Sequence, residues 1–228
     1  MKQTFNLTDT VTTEVEYPDD CDVIYHNILK MNEYDLPMDF QFRPSILDIG
    51  ANVGMFAIWA LKRWNPSIVC CYEPLKSNFE FLKKNIENIP ETDTKFILEN
   101  KAVEAPSNKL YVGRSNSGQA SFYKTDCVDE DFEEVESVRA ESLPDAFILK
   151  IDTEGCEKDI LINYFRRKFT PALVIFEYHS DKDRRFLDDF MYYNHYRILC
   201  GRVYSYRWGL MKYLYNKIQI TNEYIGDE

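Results

Sequence analysis

The chain has 228 residues, enough for one α/β domain with small additions, and 45% of them are hydrophobic, including 16 Tyr and 15 Phe for an aromatic-rich core. A net charge of −11 argues against a broad nucleic-acid footprint, which shows as a basic surface. Six cysteines form no CxxC pair and no zinc spacing, and the polar start MKQTFNLTDTVTTEVEYPDD predicts neither a signal peptide nor a membrane span. Buried free thiols and a cytoplasmic location are therefore expected.

Residues 1–35 read as an extended lead-in followed by a helix over about 22–34, and residues 36–228 as one continuous domain with no linker to split it. In FRPSILDIG an apolar run ends in Asp and Gly, as a buried strand does at a turn. VGMFAIWALKRW has apolar residues at helical spacing, closed by Asn65-Pro66. SIVCCYEP is a second buried strand ended by Pro74. LKSNFEFLKKNIENI then places Leu75, Phe79, Leu82 and Ile86 on one helical stripe, and TKFILENKAV is a third strand. This alternation predicts right-handed βαβ units and a parallel sheet.

The middle changes character. NKLYVG, QASFYKT and VESVRAESL read as short strands of an antiparallel excursion, and DEDFEEVE as a solvated acidic loop. Strand AFILKIDTEG, helix CEKDILINYFRR, strand PALVIFEYHS and helix DKDRRFLDDFMYYN follow, with YRILCGRVY and KIQIT as the last two strands. The basic residues Arg166, Arg167, Lys168, Arg184, Arg185, Arg197, Arg202, Arg207 and Lys212 read as solvated faces.

Polar residues fall at the strand tips: Asp48, Glu73, Asp152, Glu154, Glu177 and His179. In an open parallel sheet those tips border the ligand crevice, and acids are tolerable there but costly along a buried strand. Gly50 and Gly54 permit a tight turn before a helix N-terminus. The dinucleotide pattern G-x-G-x-x-G has glycine where this chain has Asn52, so the loop suits a ligand without pyrophosphate. S-adenosylmethionine (SAM) is such a ligand, with a cationic amino group for Asp48 to meet directly or through water. Glu73 stands where an acid accepts both ribose hydroxyls. The bland alternatives are that Gly54 serves only packing and that Glu73 is a surface acid before a Pro turn.

The segments ILDIGANVGMFAIWAL, CCYEPLKSNFEFLKKNI, LKIDTEGCEKDIL and VIFEYHS together resemble the FkbM family of SAM-dependent methyltransferases, over roughly residues 40–180. The resemblance implies an α/β class I methyltransferase fold, a mostly parallel seven-stranded sheet with helices on both faces. It also implies SAM held by Asp48, Gly50, Ala51, Asn52 and Gly54 and by Glu73 and Pro74, with Asn100 and Ala102 near the adenine. ENKAVEA and the Gly/Ser segment SNSGQASF match more loosely. The implied reaction is O-methylation of a hydroxyl on a carbohydrate or small hydroxylated metabolite.

Such an acceptor needs its proton removed, or its pKa lowered by a metal. His179 has the intrinsic pKa of a base, although a histidine at a strand tip also serves as a plain hydrogen-bonding cap. Asp152, Glu154 and Glu177 either hydrogen-bond the acceptor and the methionine end of SAM or hold a divalent cation, with the metal-free arrangement favoured. Glu154 has a third option, capping the helix that begins near Gly155. His26 and His195 have no such placement. The competing readings are methylation of nucleic acid or protein, supported only by the basic, aromatic C-terminal run, and a non-catalytic SAM-fold binding protein.

Overall fold

The computed structural model describes residues 1–112, 120, 132–205 and 208–217. Its central sheet has seven strands. β3 (Ser45–Ile49), β4 (Ile68–Tyr72) and β5 (Lys95–Glu99) run outward on one side, and β10 (Ile148–Ile151) and β11 (Leu173–Tyr178) return on the other side of β3. These five pair in parallel. β13 (Trp208–Tyr215) lies antiparallel between β11 and the edge strand β12 (Tyr196–Ser205). The order β12-β13-β11-β10-β3-β4-β5 puts the switch in direction between β3 and β10, where open α/β sheets bind ligands.

The interior strands are apolar because both faces are covered. One core layer joins the sheet to α2 (Met55–Trp64) and to the N-terminal residues Phe5, Val15 and Tyr17. The other joins it to α4 (Glu157–Tyr164) and α5 (Asp181–Tyr193). α2 buries eight of its ten residues and stops at Asn65, whose φ of 42° is left-handed, just ahead of Pro66. The helix α3 (Lys76–Glu87) exposes its charged side and buries Leu82 and Asn85.

The lead-in is more ordered than its sequence suggests. Lys2–Asn6 (β1) and Thr12–Glu16 (β2) form an antiparallel hairpin. Buried Asn85 of α3 clamps it: the side-chain carbonyl accepts from the Glu16 amide at 2.7 Å, and the amide donates to the carbonyls of Glu16 and Val53, both at 2.8 Å. The helix expected over 22–34 is short instead. A single α-turn, α1 (Asp22–Tyr25), passes into a wide π-type turn over His26–Lys30, and the chain then leaves helical geometry at Asn32, whose φ is 50°. Three side chains anchor residues 32–35. Trp59 Nε1 donates to Asn32 at 3.0 Å, and Lys212 Nζ donates to the carbonyls of Glu33 and Asp35 at 2.8 and 2.7 Å. Arg63 pairs with Asp35 at 2.7 Å.

The expected antiparallel excursion is present in part. β7 (Lys109–Tyr111) pairs antiparallel with β8 (Phe132–Glu134), whereas β6 (Ala102–Val103) pairs in parallel with β9 (Ser137–Val138). Part of the acidic stretch is thus strand rather than loop, and Asp129 to Asp131 lie outside the described residues. So do QASFYKT apart from Ala120, SNSGQASF apart from Ala120, and KIQIT apart from Lys217. The final described strand, β13, comes from WGLMKYLY, with six consecutive buried residues.

Candidate active site

A cavity of about 510 Å³ opens above the carboxyl ends of β3, β4, β10 and β11, within the ~300–1,000 Å³ usual for small-molecule sites. Its floor is the turn after β3. The amides of Gly50 and Ala51 donate to the Tyr72 carbonyl at 2.9 and 3.0 Å, tying the turn to the neighbouring strand. Gly50 has φ of +77°, and a β-carbon there would overlap the backbone carbonyl of Asp152. Asn52 occupies the left-handed region at φ 51°, which Asn enters more readily than most residues, and its side chain accepts from the Val53 amide at 2.7 Å. The departure from the dinucleotide pattern therefore keeps the backbone shape while adding a side chain at the cavity wall.

Glu73 is 5% exposed and lines the cavity. Its two oxygens accept from the amides of Asn52 at 2.8 Å and Leu75 at 2.9 Å, so it fixes the turn as well as facing the cavity. Burial pushes its carboxyl up to about 7, against the pull of those two amides. Each oxygen keeps a lone pair for a further donor.

Asp48 and Lys150 form the buried centre beneath. Asp48 is fully buried and does not line the cavity; Lys150 is 3% exposed and does. Lys150 Nζ lies 3.0 Å from Asp48 and 3.6 Å from Asp152, and donates to the Gly50 carbonyl at 2.7 Å. One ammonium thus joins both sides of the switch point. Burial alone lowers Lys150, but Asp48 and Asp152 outweigh it and hold the ammonium charged.

At the opposite end, Asp152, Glu154, Glu177 and His179 all line the cavity. His179 Nε2 lies 3.3 Å from Glu154 and 3.8 Å from Glu177. Its Nδ1 lies 3.2 Å from Glu157, a buried residue at the start of α4. Glu157 also accepts from the amides of Thr153 at 3.0 Å and of Gly155 at 3.1 and 3.0 Å. Burial disfavours the charged ring, yet Glu157, Glu154 and Asp152 overcome it and push His179 up to about 10. Burial drives Glu177 strongly upward, helped by Asp152 and opposed by His179, and raises Glu154 to about 7. Glu157 goes the other way: bonding to His179 outweighs burial and lowers it. Glu154 sits at φ 54°, in the turn before α4.

A family model of the methyltransferase FkbM domain matches residues 48–206. The chain belongs to this family. Its fold is that of class I methyltransferases, the class of its structural neighbours. The TYW2 protein of M. jannaschii in complex with AdoMet superposes with a TM-score of 0.50 at 12% identity, covering 93% of this chain and 84% of that one. The ribosomal protein L11 methylase of Lactobacillus delbrueckii subsp. bulgaricus gives 0.48 at 13% identity, covering 92% and 97%. Comparison with curated protein sequences finds no match.

Within the FkbM domain the structure gathers Gly50, Ala51, Asn52, Glu73, Pro74 and Ala102 on the cavity wall together with Asp152, Glu154, Glu177 and His179. Three expected site residues stand behind that wall. Asp48 supports Lys150. Gly54, at φ +86°, would carry its β-carbon to 2.7 Å from Leu82 and so packs α3. Asn100 donates to the carbonyls of Glu73 and Pro74, both at 2.9 Å. Sequence reasoning misses Lys150 and Glu157. The signal for Lys150 is a lysine inside an otherwise apolar strand; for Glu157, it is an acid two residues past Gly155 at a helix start. The cavity also has walls from Glu33, Tyr34 and Trp208, which no motif marks.

Proposed function

We propose that the chain is a SAM-dependent O-methyltransferase acting on a hydroxyl of a carbohydrate or small hydroxylated metabolite. The observation that carries this reading is a single cavity with two chemically different ends, the glycine turn with Glu73 at one and four titratable side chains at the other. The first end fits the cofactor. The turn at Gly50 and Ala51 faces the cavity with its amides already spent on Tyr72, which suits an unphosphorylated ligand, and Glu73 has lone pairs to accept from ribose hydroxyls. Ala102 and Pro74 supply apolar wall for the adenine. Asp48 acts through Lys150 rather than by contact. Bound SAM supplies an electrophilic methyl group on a sulfonium, so holding the acceptor oxygen in line accounts for much of the rate.

At the second end Asp152, Glu154 and Glu177 accept hydrogen bonds from acceptor hydroxyls, and a carboxylate takes the proton that O-methylation releases. His179, charged in the free protein, serves there as a hydrogen-bond donor; acting as the base requires the carboxylates around it to be neutralised first. A nucleic-acid acceptor finds little support in the basic residues. Lys212 is spent inside the protein, and Arg166, Arg167, Arg184 and Arg185 pair with Glu141, Asp145, Asp188 and Asp181. Among the described residues no helix is long and apolar enough to cross a membrane. Cys21, Cys70, Cys71 and Cys156 are buried free thiols, in keeping with a cytoplasmic location.

Calorimetry with SAM and its demethylated product tests the first half. Binding to the wild type should weaken ~10-fold or more in Glu73→Gln, the worth of one or two hydrogen bonds to a charged group. No binding to the wild type overturns the cofactor assignment. Transfer of labelled methyl to a panel of oligosaccharides and polyhydroxylated metabolites, run beside RNA and protein, tests the second half; label on RNA or protein alone overturns it.

A further inference from the structure

We infer that Asp152, Glu154 and His179 form a site for a divalent first-row cation at the acceptor end of the cavity. Whether the ion binds is independent of the methyl-transfer reading; only its use on an acceptor oxygen rests on that reading.

Distance allows it. One oxygen or nitrogen from each of the three residues lies within 4.8 Å of the others. Metal–oxygen bonds of ~2.0–2.6 Å let a single ion bridge donor atoms up to ~4–5 Å apart. The histidine is also oriented for it. Glu157 is fixed by two backbone amides and faces Nδ1 at 3.2 Å, so it accepts a hydrogen bond from Nδ1–H. Nε2 is thereby aimed at Glu154 and Glu177, at 3.3 and 3.8 Å. A carboxylate on the far nitrogen of a ligating imidazole is the usual support for such a ligand, setting both its tautomer and its ring angle.

Charge points the same way. Glu154 and Glu177 crowd the Nε2 side of the ring, Asp152 stands within 4.8 Å of the Glu154–His179 pair, and the neighbouring ammonium of Lys150 sits closer to Asp48 than to Asp152. Two positive charges between those carboxylates relieve repulsion that a single imidazolium only partly offsets. Mixed imidazole and carboxylate donors suit Mn²⁺ or Fe²⁺ better than Ca²⁺, which prefers oxygen alone. Three protein donors leave other coordination positions for water or an acceptor hydroxyl, and all three residues line the cavity.

The test is titration of Mn²⁺ into chelator-treated full-length protein, following the electron-spin-resonance signal of the free ion, with SAM's demethylated product titrated calorimetrically into the same samples. One Mn²⁺ should bind per chain. His179→Ala and Glu154→Gln should each weaken it at least ~10-fold, and Glu157→Gln should weaken it ~10-fold through the orientation of His179. Glu154→Gln keeps the shape of a half-buried side chain and guards against loss of fold. The surface variant Glu141→Gln should bind as the wild type does. No saturable binding, or binding that both His179→Ala and Glu154→Gln leave unchanged, overturns the proposal. Product binding without Mn²⁺ binding overturns the cation site alone; Mn²⁺ binding without product binding overturns the cofactor assignment alone.

Discussion

Replacing Lys150 with Met removes the ammonium beside Asp48 at the centre of the sheet and leaves a carboxylate behind. Asp48 is fully buried, and among the described residues neither of its oxygens has a hydrogen-bond partner beyond the ion pair with Lys150. Breaking a buried pair by removing one member costs about 3–5 kcal/mol, more than the lost attraction, because the other charge stays buried. The lost bond to the Gly50 carbonyl, 2.7 Å in the wild type, adds about 1 kcal/mol. A deficit of about 4–6 kcal/mol is therefore expected in urea unfolding followed by Trp59 and Trp64 fluorescence. The sign with pH comes from Asp48. Burial already raises its carboxyl while Lys150 opposes the rise, and without the ammonium it rises further. The folded variant then binds a proton that the unfolded chain does not, so its deficit shrinks as pH falls toward the ordinary aspartate value near 3.8, by at most ~1.4 kcal/mol per pH unit. Asp48→Asn combined with Lys150→Met should recover a large part of the loss. A single-variant deficit below about 1 kcal/mol, or a double variant no better than the single, would refute the view of this pair as a charge-compensated centre.

Two more outcomes are expected at the site. Gly50→Ala should yield little folded protein or abolish cofactor binding, since its β-carbon meets backbone at Asp152, whereas Gly54→Ala meets only the end of Leu82 and should cost about 1–2 kcal/mol while retaining binding; thermal melts and calorimetry separate the two. In metal-free protein with chelator present, nitrogen NMR should show both ring nitrogens of His179 protonated through about pH 8. Its raised value near 10 means that its contribution to stability is complete below the unfolded value near 6.5 and is lost as pH rises through about 10. A neutral ring at pH 7 would remove that account.

The parallel strands of the central sheet are legible in the sequence, because an apolar run ended by a turn marks them even where Asp48 or Lys150 interrupts the run. SILDI, IVCCY, ILKI and LVIFEY all fall into that class. β13 escaped because Lys212 and its aromatic neighbours resemble a basic surface segment; the lysine reaches the carbonyls of Glu33 and Asp35 instead, which are invisible without the fold. The helix expected over 22–34 failed for a related reason. The segment Met31 to Asp35 bends at Asn32 to meet Trp59, Arg63 and Lys212, so tertiary bonds overrode local propensity. At the site, proximity in sequence placed residues at the correct tip without saying which way they point. Asp48 lies in β3 and Gly54 at the end of the turn, both packed away from the cavity wall, and Glu157 meets His179 from behind.

The two ends of the cavity also differ in how they are assembled, and that difference decides which of them leaves a mark in the sequence. On the proposed function, the cofactor end comes largely from one contiguous unit, β3, its turn, α2 and the tip of β4, with Ala102 of β6 added to the wall. The backbone geometry of the turn requires glycine or asparagine at set positions and so leaves that mark. The acceptor end joins four distant pieces: Glu33 and Tyr34, the turn after β10, the tip of β11, and Trp208. Lys212 binds the first of these to the last strand, 179 residues away. Such a wall imposes no local backbone signature, because each piece contributes a side chain rather than a turn. On the proposed function, acceptor choice rests on residues outside the cofactor loop. On this reasoning, substitutions at Glu33 or Trp208 should alter which acceptor is used while leaving cofactor affinity within about twofold, whereas a parallel loss of both would mean that the two ends are not separable.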